Sequence, residues 1–166
     1  MAQVYVTEYA EELGKIGRDR FVQAHPHPVL IVASLAGTLE DGGQGSHTAL
    51  VNGASDILHV TRLVGRVFVL AKNRYSPPGP ITIGRTSDND VTFPDYSVSK
   101  QHCQLAVVGR EVRLIDFGST NGTFLNGVRL VARKPVLVAT GDTVTLGRFN
   151  CLFHLPAGFA GHLAAS

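Results

Sequence analysis

The cadence of the second half of the chain limits what it can fold into. From residue 66 to residue 155, short alternating apolar segments are each cut off by glycine, proline, asparagine or aspartate. Such runs are too short to bury a helical stripe, and period-two alternation between turn residues is the pattern of strands in an antiparallel sandwich. Strands are expected at 66–71, 80–84, 90–93, 102–108, 111–116, 123–125, 128–130, 136–139, 143–146 and 151–155. No helical pattern interrupts them. In a rigid scaffold of this kind, function sits in the loops at one end.

The first part of the chain reads differently. Residues 7–23 place Tyr9, Leu13, Ile16, Gly17 and Phe21 on one side at helical spacing, with Thr7 as N-cap and acids in the first turn, which predicts one amphipathic helix. The two prolines at 26 and 28 end it, since each removes an amide donor and drives its predecessor out of helical geometry. A strand is expected over 29–35, then a flexible glycine-rich acidic loop over 37–46. The chain thus divides into an N-terminal extension (1–59), a main domain (60–156) and a C-terminal tail (157–166). So few elements bury little core alone, so the extension is expected to dock on the main domain or on a partner.

Residues 1–59 hold three Lys/Arg against seven Asp/Glu, a net −4, and residues 60–166 hold twelve against six, a net +6. The second part therefore favours anionic partners without selecting among them. The longest apolar run, 29–36 with Ser34 inside it, falls far short of the ~20 residues that span a bilayer, and Met1-Ala2-Gln3 lacks the basic-then-apolar layout of a secretory signal. A cytoplasmic location and no membrane partner are expected. Cys103 and Cys151 lie in strand-like surroundings and read as reduced, buried thiols.

Three ordered segments carry the functional signal: Ile83-Gly84-Arg85 with Asn89-Asp90-Val91, then Ser97 to His102 (SVSKQH), then Asp116 to Gly127 (DFGSTNGTFLNG). Together with the later Gly141-Asp142 and Leu146-Gly147, they closely resemble the forkhead-associated (FHA) family over residues 66–155. The resemblance implies an all-β sandwich of about eleven strands whose apical loops hold a phosphothreonine in an extended peptide. Here it would carry an N-terminal, helix-containing extension.

The chemistry of the residues agrees. A phosphothreonine carries about −1.5 to −2 charges and three acceptor oxygens, so a reader needs a fixed cation and several converging donors. Arg85 offers a planar donor fork, and Gly84 permits close backbone packing beside it. Ser99 offers a hydroxyl and an amide, and Lys100 a mobile ammonium. Thr120 sits where the family adds a further phosphate contact, while Asn121 suits the peptide backbone. His102 and Asp116 read as supports that hold the loops in register, and Gly122, Asn126 and Gly127 as turn formers. The implied function is phosphothreonine-dependent protein binding. The partner would be a kinase substrate or the Ser/Thr kinase itself, with no cofactor, metal or nucleic acid.

Rival readings are weaker. Ser99, His102 and Asp116 or Asp142 have the residue types of a hydrolytic triad but no strand-turn-helix elbow. His25 and His27 are a lone pair where a metal needs a cluster. No phosphate-binding loop, recognition helix or aromatic-rich nucleic-acid strand is found. The serious alternative keeps the fold and drops the phosphate, giving a phosphate-independent protein-interaction or self-association module for which the N-terminal extension could supply the surface. A further expectation is that Thr7, Thr38 or Thr48 becomes a phosphothreonine ligand in cis or between chains.

Overall fold

A computed structural model describes residues 4–36 and 51–166. In chain order its elements are α1 (Val6–Ile16), α2 (Arg18–Ala24), β1 (Val29–Leu35), α3 (Gly53–Leu63), β2 (Val67–Val69), β3 (Ile81–Gly84), β4 (Val91–Thr92), β5 (Cys103–Val108), β6 (Glu111–Asp116), β7 (Thr123–Leu125), β8 (Val128–Arg129), β9 (Val136–Val138), β10 (Thr143–Leu146), β11 (Phe149–His154) and α4 (Pro156–Ala164). Two sheets face each other, one in the order β2-β1-β11-β10-β7-β8 and the other β4-β3-β5-β6-β9. All pairings are antiparallel except β3 with β4.

Alternation decides which side chains fill the space between the sheets. Ile83, Leu105, Leu114, Leu146, Phe149, Cys151 and Phe153 point into one apolar core, with Phe68 stacked on Phe93 at 4.7 Å. Cys103 and Cys151 are both free and fully buried, and burial pushes both thiols above their ordinary pKa.

The segment before Val60 does not stand apart from the sandwich. Strand β1 lies in the interior of the six-stranded sheet, pairing Val29 to Leu35 with β11 on one side and Val29 to Ile31 with β2 on the other. Its apolar run is continuous because both faces are covered: Leu30 and Val32 join the inter-sheet core, while Val29 and Ile31 face a helical layer. That layer is α1, α2 and α4, which pack Tyr9, Phe21, Phe159, Ala160 and Leu163 onto the outer surface of β1, β2 and β11. A boundary drawn from composition at residue 59 therefore cuts through one packing unit.

The helices also correct the expected pattern. The single helix over 7–23 is two, because Gly17 takes φ 82 and ends α1 before α2 begins. The N-cap is Tyr5 and not Thr7, and the Glu8 carboxylate accepts from the Val4 and Tyr5 amides, which satisfies donors the helix leaves open. Helix α3 was not expected. The C-terminal stretch set aside as a tail is α4, started by Pro156 at its first turn. The loop expected at 37–46, which holds Thr38, and Thr48 beyond it lie outside the described residues. Thr7 lies in the first turns of α1, so it is not in the extended conformation that a peptide ligand needs.

Candidate functional site

The β3–β4, β4–β5 and β6–β7 loops are tied to one another through their backbones. Arg85 leaves β3 with its amide donating to the Ser99 carbonyl (2.9 Å) and its Nε to the Val98 carbonyl (3.0 Å). The amide bond ties the backbone of Arg85 to the β4–β5 loop, and the Nε bond orients the guanidinium plane. Its two terminal amino groups have no partner among the described residues, and the residue is exposed. Ser99 Oγ accepts from the Thr120 amide (3.0 Å), which leaves its own hydrogen free to donate outward. Asn121 Nδ2 donates to the Ser97 carbonyl (2.8 Å), so its Oδ1 remains an acceptor for an incoming chain. Lys100 is exposed at its side chain, while its carbonyl turns inward to accept from Asn89 Nδ2 (2.7 Å). All five residues expected to contact ligand are thus brought together.

Gly84 is required by the close approach of that inward carbonyl. A Cβ there would lie 2.1 Å from Lys100 O and 2.6 Å from Asn89 Nδ2. Gly84→Ala has no way to fit without moving residues 99–101, and it is expected to reduce ligand binding about tenfold or more. Titration of the purified variant against the wild-type ligand checks this, and equal affinities would show that the loop tolerates displacement.

His102 supports the site from beneath. It is fully buried, with Nδ1 accepting from the Ser99 amide (3.0 Å) and Nε2 bonded to the Gly122 carbonyl (3.0 Å). This network needs the proton on Nε2 and a neutral ring, and burial holds its pKa below the ordinary value despite the Gly122 bond and nearby Asp116. Asp116 accepts from the hydroxyls of Ser119 (2.5 Å) and Thr123 (2.7 Å) and from the Gly118 and Ser119 amides. Burial pushes its pKa up, but these donors outweigh it and keep it below the usual carboxylate range. Asn126, at φ 50, and Gly127, at φ 82, form the β7–β8 turn, and Asn126 bonds Asp142 and the Thr143 amide. Gly122 takes φ 87 with the Arg129 side chain packed over it.

The residue types of a triad are present but not its geometry. His102 meets the Ser99 amide and not its hydroxyl, and Asp116 holds loop donors instead of the imidazole. His25 pairs with Glu12 at 2.8 Å and packs against Tyr9 and Phe21. Among the described residues, no group of three or more His, Cys, Asp or Glu is placed to hold a metal.

Two buried histidines set an acid limit on stability. His154 is buried without a hydrogen-bond partner on either nitrogen, at 4.9 Å from the His162 ring, and burial and then His162 lower its pKa, as burial lowers that of His102. Each group binds its proton more readily unfolded, so its neutral form contributes stability that is present above about pH 6.5 and is lost as pH falls from there toward the lowered folded value. Stability should drop by up to about 1.4 kcal/mol per pH unit per histidine in that window. Urea midpoints at pH 7.5 and 5.5 should differ less in His154→Phe than in wild type; identical slopes would remove His154 from the account.

Residues given no role from the sequence complete the site: Asn89 and Ser97 lie inside the motif segments, Asp95 and Arg148 outside them. Asn89, Asp95, Ser97 and Arg148 are buried polar groups, and Arg148 is only 2% exposed. Arg148 donates to Asp95 from Nε (3.1 Å) and Nη2 (2.7 Å) and to Asp56 of α3 from Nη1 (2.7 Å) and Nη2 (2.8 Å). The only local signal was Asp56, Val60 and Leu63 at helical spacing, in a stretch read as a boundary.

The two-sheet sandwich and these loops agree with the family comparison: residues 81–147 match the FHA domain model, and the chain contains an FHA domain. Among curated proteins, it is 34% identical over 114 residues to an ABC transporter ATP-binding/permease protein of Mycobacterium tuberculosis, covering 68% of this chain and 12% of that one. It is 36% identical over 87 residues to the glycogen accumulation regulator GarA of Mycolicibacterium smegmatis, covering 50% and 51% of the two. The chain spans no more than about half the length of these relatives. Among solved structures, it is similar to the FHA domain of the CT664 protein from Chlamydia trachomatis, with TM-score 0.50 and 18% identity over 77% of this chain and 96% of that one. An engineered FHA with a Myc-pTBD peptide gives TM-score 0.50 and 19% identity over 84% and 98%. Both likenesses show the fold.

Proposed function

We propose that this protein is a phosphothreonine-dependent binding module of Ser/Thr kinase signalling, acting as a reader and not as an enzyme. The observation that carries the reading is Arg85. The Val98 carbonyl holds its guanidinium at Nε and the Ser99 carbonyl holds its backbone amide, yet its terminal amino groups have no partner among the described residues, on a loop tied to the one that carries Ser99 and Lys100 and, through Ser99, to Thr120. A scaffold that fixes a cation and leaves its donor fork unspent is suited to a dianionic, three-oxygen ligand. Arg85, Ser99, Lys100 and Thr120 take the phosphate, and Asn121 takes the peptide backbone. Gly84, His102, Asp116, Gly122, Asn126 and Gly127 hold the loops.

The partner is a phosphorylated protein, either a kinase substrate or the kinase. No helix among the described residues is long and apolar enough to cross a membrane. The test is fluorescence anisotropy with degenerate phosphothreonine, phosphoserine and unphosphorylated peptide pools. Binding confined to the phosphothreonine pool is expected. Equal binding to the unphosphorylated pool, or none to any, would replace this reading with a phosphate-independent interaction module.

A further inference from the structure

The base of the β4–β5 loop is built around a buried ion cluster that reaches outside the FHA core. Asp95, whose side chain is fully buried, accepts from Arg148, from the amide (3.1 Å) and hydroxyl (2.5 Å) of Ser97, and pairs with His59 of α3 at 2.9 Å. The second carboxylate on Arg148 is Asp56 of α3, in a two-bond fork. Burial pushes the Asp95 pKa up, but Arg148 and Ser97 outweigh it and hold it down, so the cluster is charged. Tyr96 covers the guanidinium at 4.4 Å, and its hydroxyl meets Asn52 at the start of α3.

From this cluster the same loop runs directly into the ligand site. Ser97 Oγ accepts from the Arg148 amide (3.0 Å), and the Ser97 carbonyl accepts from Asn121. A Cβ at Gly147 would come within 2.4 Å of Ser97 Oγ, so loop and β10–β11 turn are in close contact. The next carbonyl, Val98, aligns Arg85, and the next residue is Ser99. The carbonyl that aims the phosphate-binding arginine thus belongs to the residue directly after Ser97, which links the loop to the cluster.

We propose that helix α3 is a working part of the reader: through the Asp56–Arg148–Asp95 bridge it holds residues 95–99 in the conformation that presents Ser99 and Arg85, so that docking of α3 and phosphopeptide binding are thermodynamically linked. Asp56 is a positioning residue that touches no ligand. Linkage is reciprocal, so ligand binding must in turn tighten α3 against the sandwich. Any partner or modification that draws α3 off its seat would weaken the site without touching it. The proposal rests on the phosphothreonine reading, and its test separates the two.

Wild type, Asp56→Asn and Asp56→Glu are compared as full chains, by anisotropy with the phosphothreonine pool and by amide hydrogen exchange with and without it. Asp56→Asn is expected to lose about fivefold or more in affinity, with faster exchange at 97–99 and unchanged exchange in β5 and β10, and Asp56→Glu to recover part of both. Peptide should slow exchange in α3 of wild type and not of Asp56→Asn. Full affinity in Asp56→Asn, beside a wild type that binds, would overturn the linkage and leave the reader intact. If wild type binds no pool, the reading of the ligand fails; the bridge is then judged by loop exchange alone, and unchanged exchange at 97–99 sinks it. Should Asp56→Asn unfold throughout, His59→Gln, which removes a partner of Asp95 from the half-exposed side, must show the same loop-confined effect or the proposal falls.

Discussion

Arg85→Ala is expected to weaken phosphothreonine-peptide binding by about ten to a hundredfold while leaving the folded sandwich in place. A hydrogen bond to a charged group contributes about 1.5–3 kcal/mol net, and each 1.4 kcal/mol is a factor of ten in affinity. The residue is exposed and its side chain is bonded internally only through Nε, to the Val98 carbonyl, so truncating it costs the fold little. Arg85→Lys should recover part of the loss, because an ammonium keeps the charge but not the planar fork. Isothermal titration with melting curves on the same samples separates these effects. An alanine variant that binds as wild type would move the phosphate elsewhere and with it the whole site.

Arg148→Met is expected to have the larger effect on stability, about 3–5 kcal/mol, lowering the melting midpoint by roughly 6–20 °C. Arg148 is almost wholly buried between two carboxylates, and methionine of similar length leaves the buried Asp95 with no cation opposite it apart from His59. The sign with pH follows from Asp95. Its pKa is held down in the wild-type fold, so the stability it contributes is present above about pH 4 and is lost as pH falls below that. The gap between wild type and variant should therefore be wide at pH 7 and narrow toward pH 3. Chemical denaturation across that range checks it; a constant gap would mean that packing, and not charge, accounts for the loss.

The two arginines differ in how far the sequence discloses them. Arg85 follows a strand, stands next to a glycine and belongs to an ordered run of short motifs, so type and spacing mark it. Arg148 sits in an unremarkable turn before β11, and its partners are Asp56 and Asp95, far apart in the chain. No local pattern predicts that pairing. The strand positions were legible because alternation and turn residues act over a few residues, and Asn126-Gly127 reads as a hairpin from its two residues alone. Helix α3 was missed because it is short, carries exposed Ile57 and Leu58 that blur its amphipathic face, and gains its partners only from the sandwich.

What the sequence determined by itself is what short-range chemistry dictates: strands from period-two burial, turns from residues that tolerate positive φ, and a cluster of donor types suited to a phosphate. What only the tertiary structure decided is which distant pieces complete the unit. Strand β1, from the first forty residues, enters the interior of a sheet otherwise built from residues beyond 66, and helix α3 seats its aspartate on a buried arginine of the far end. The physical reason is that a sheet edge and a buried cation are each satisfied by whatever segment the packing brings to them, and that choice is settled by the energy of the whole fold and not by any residue's neighbours in sequence.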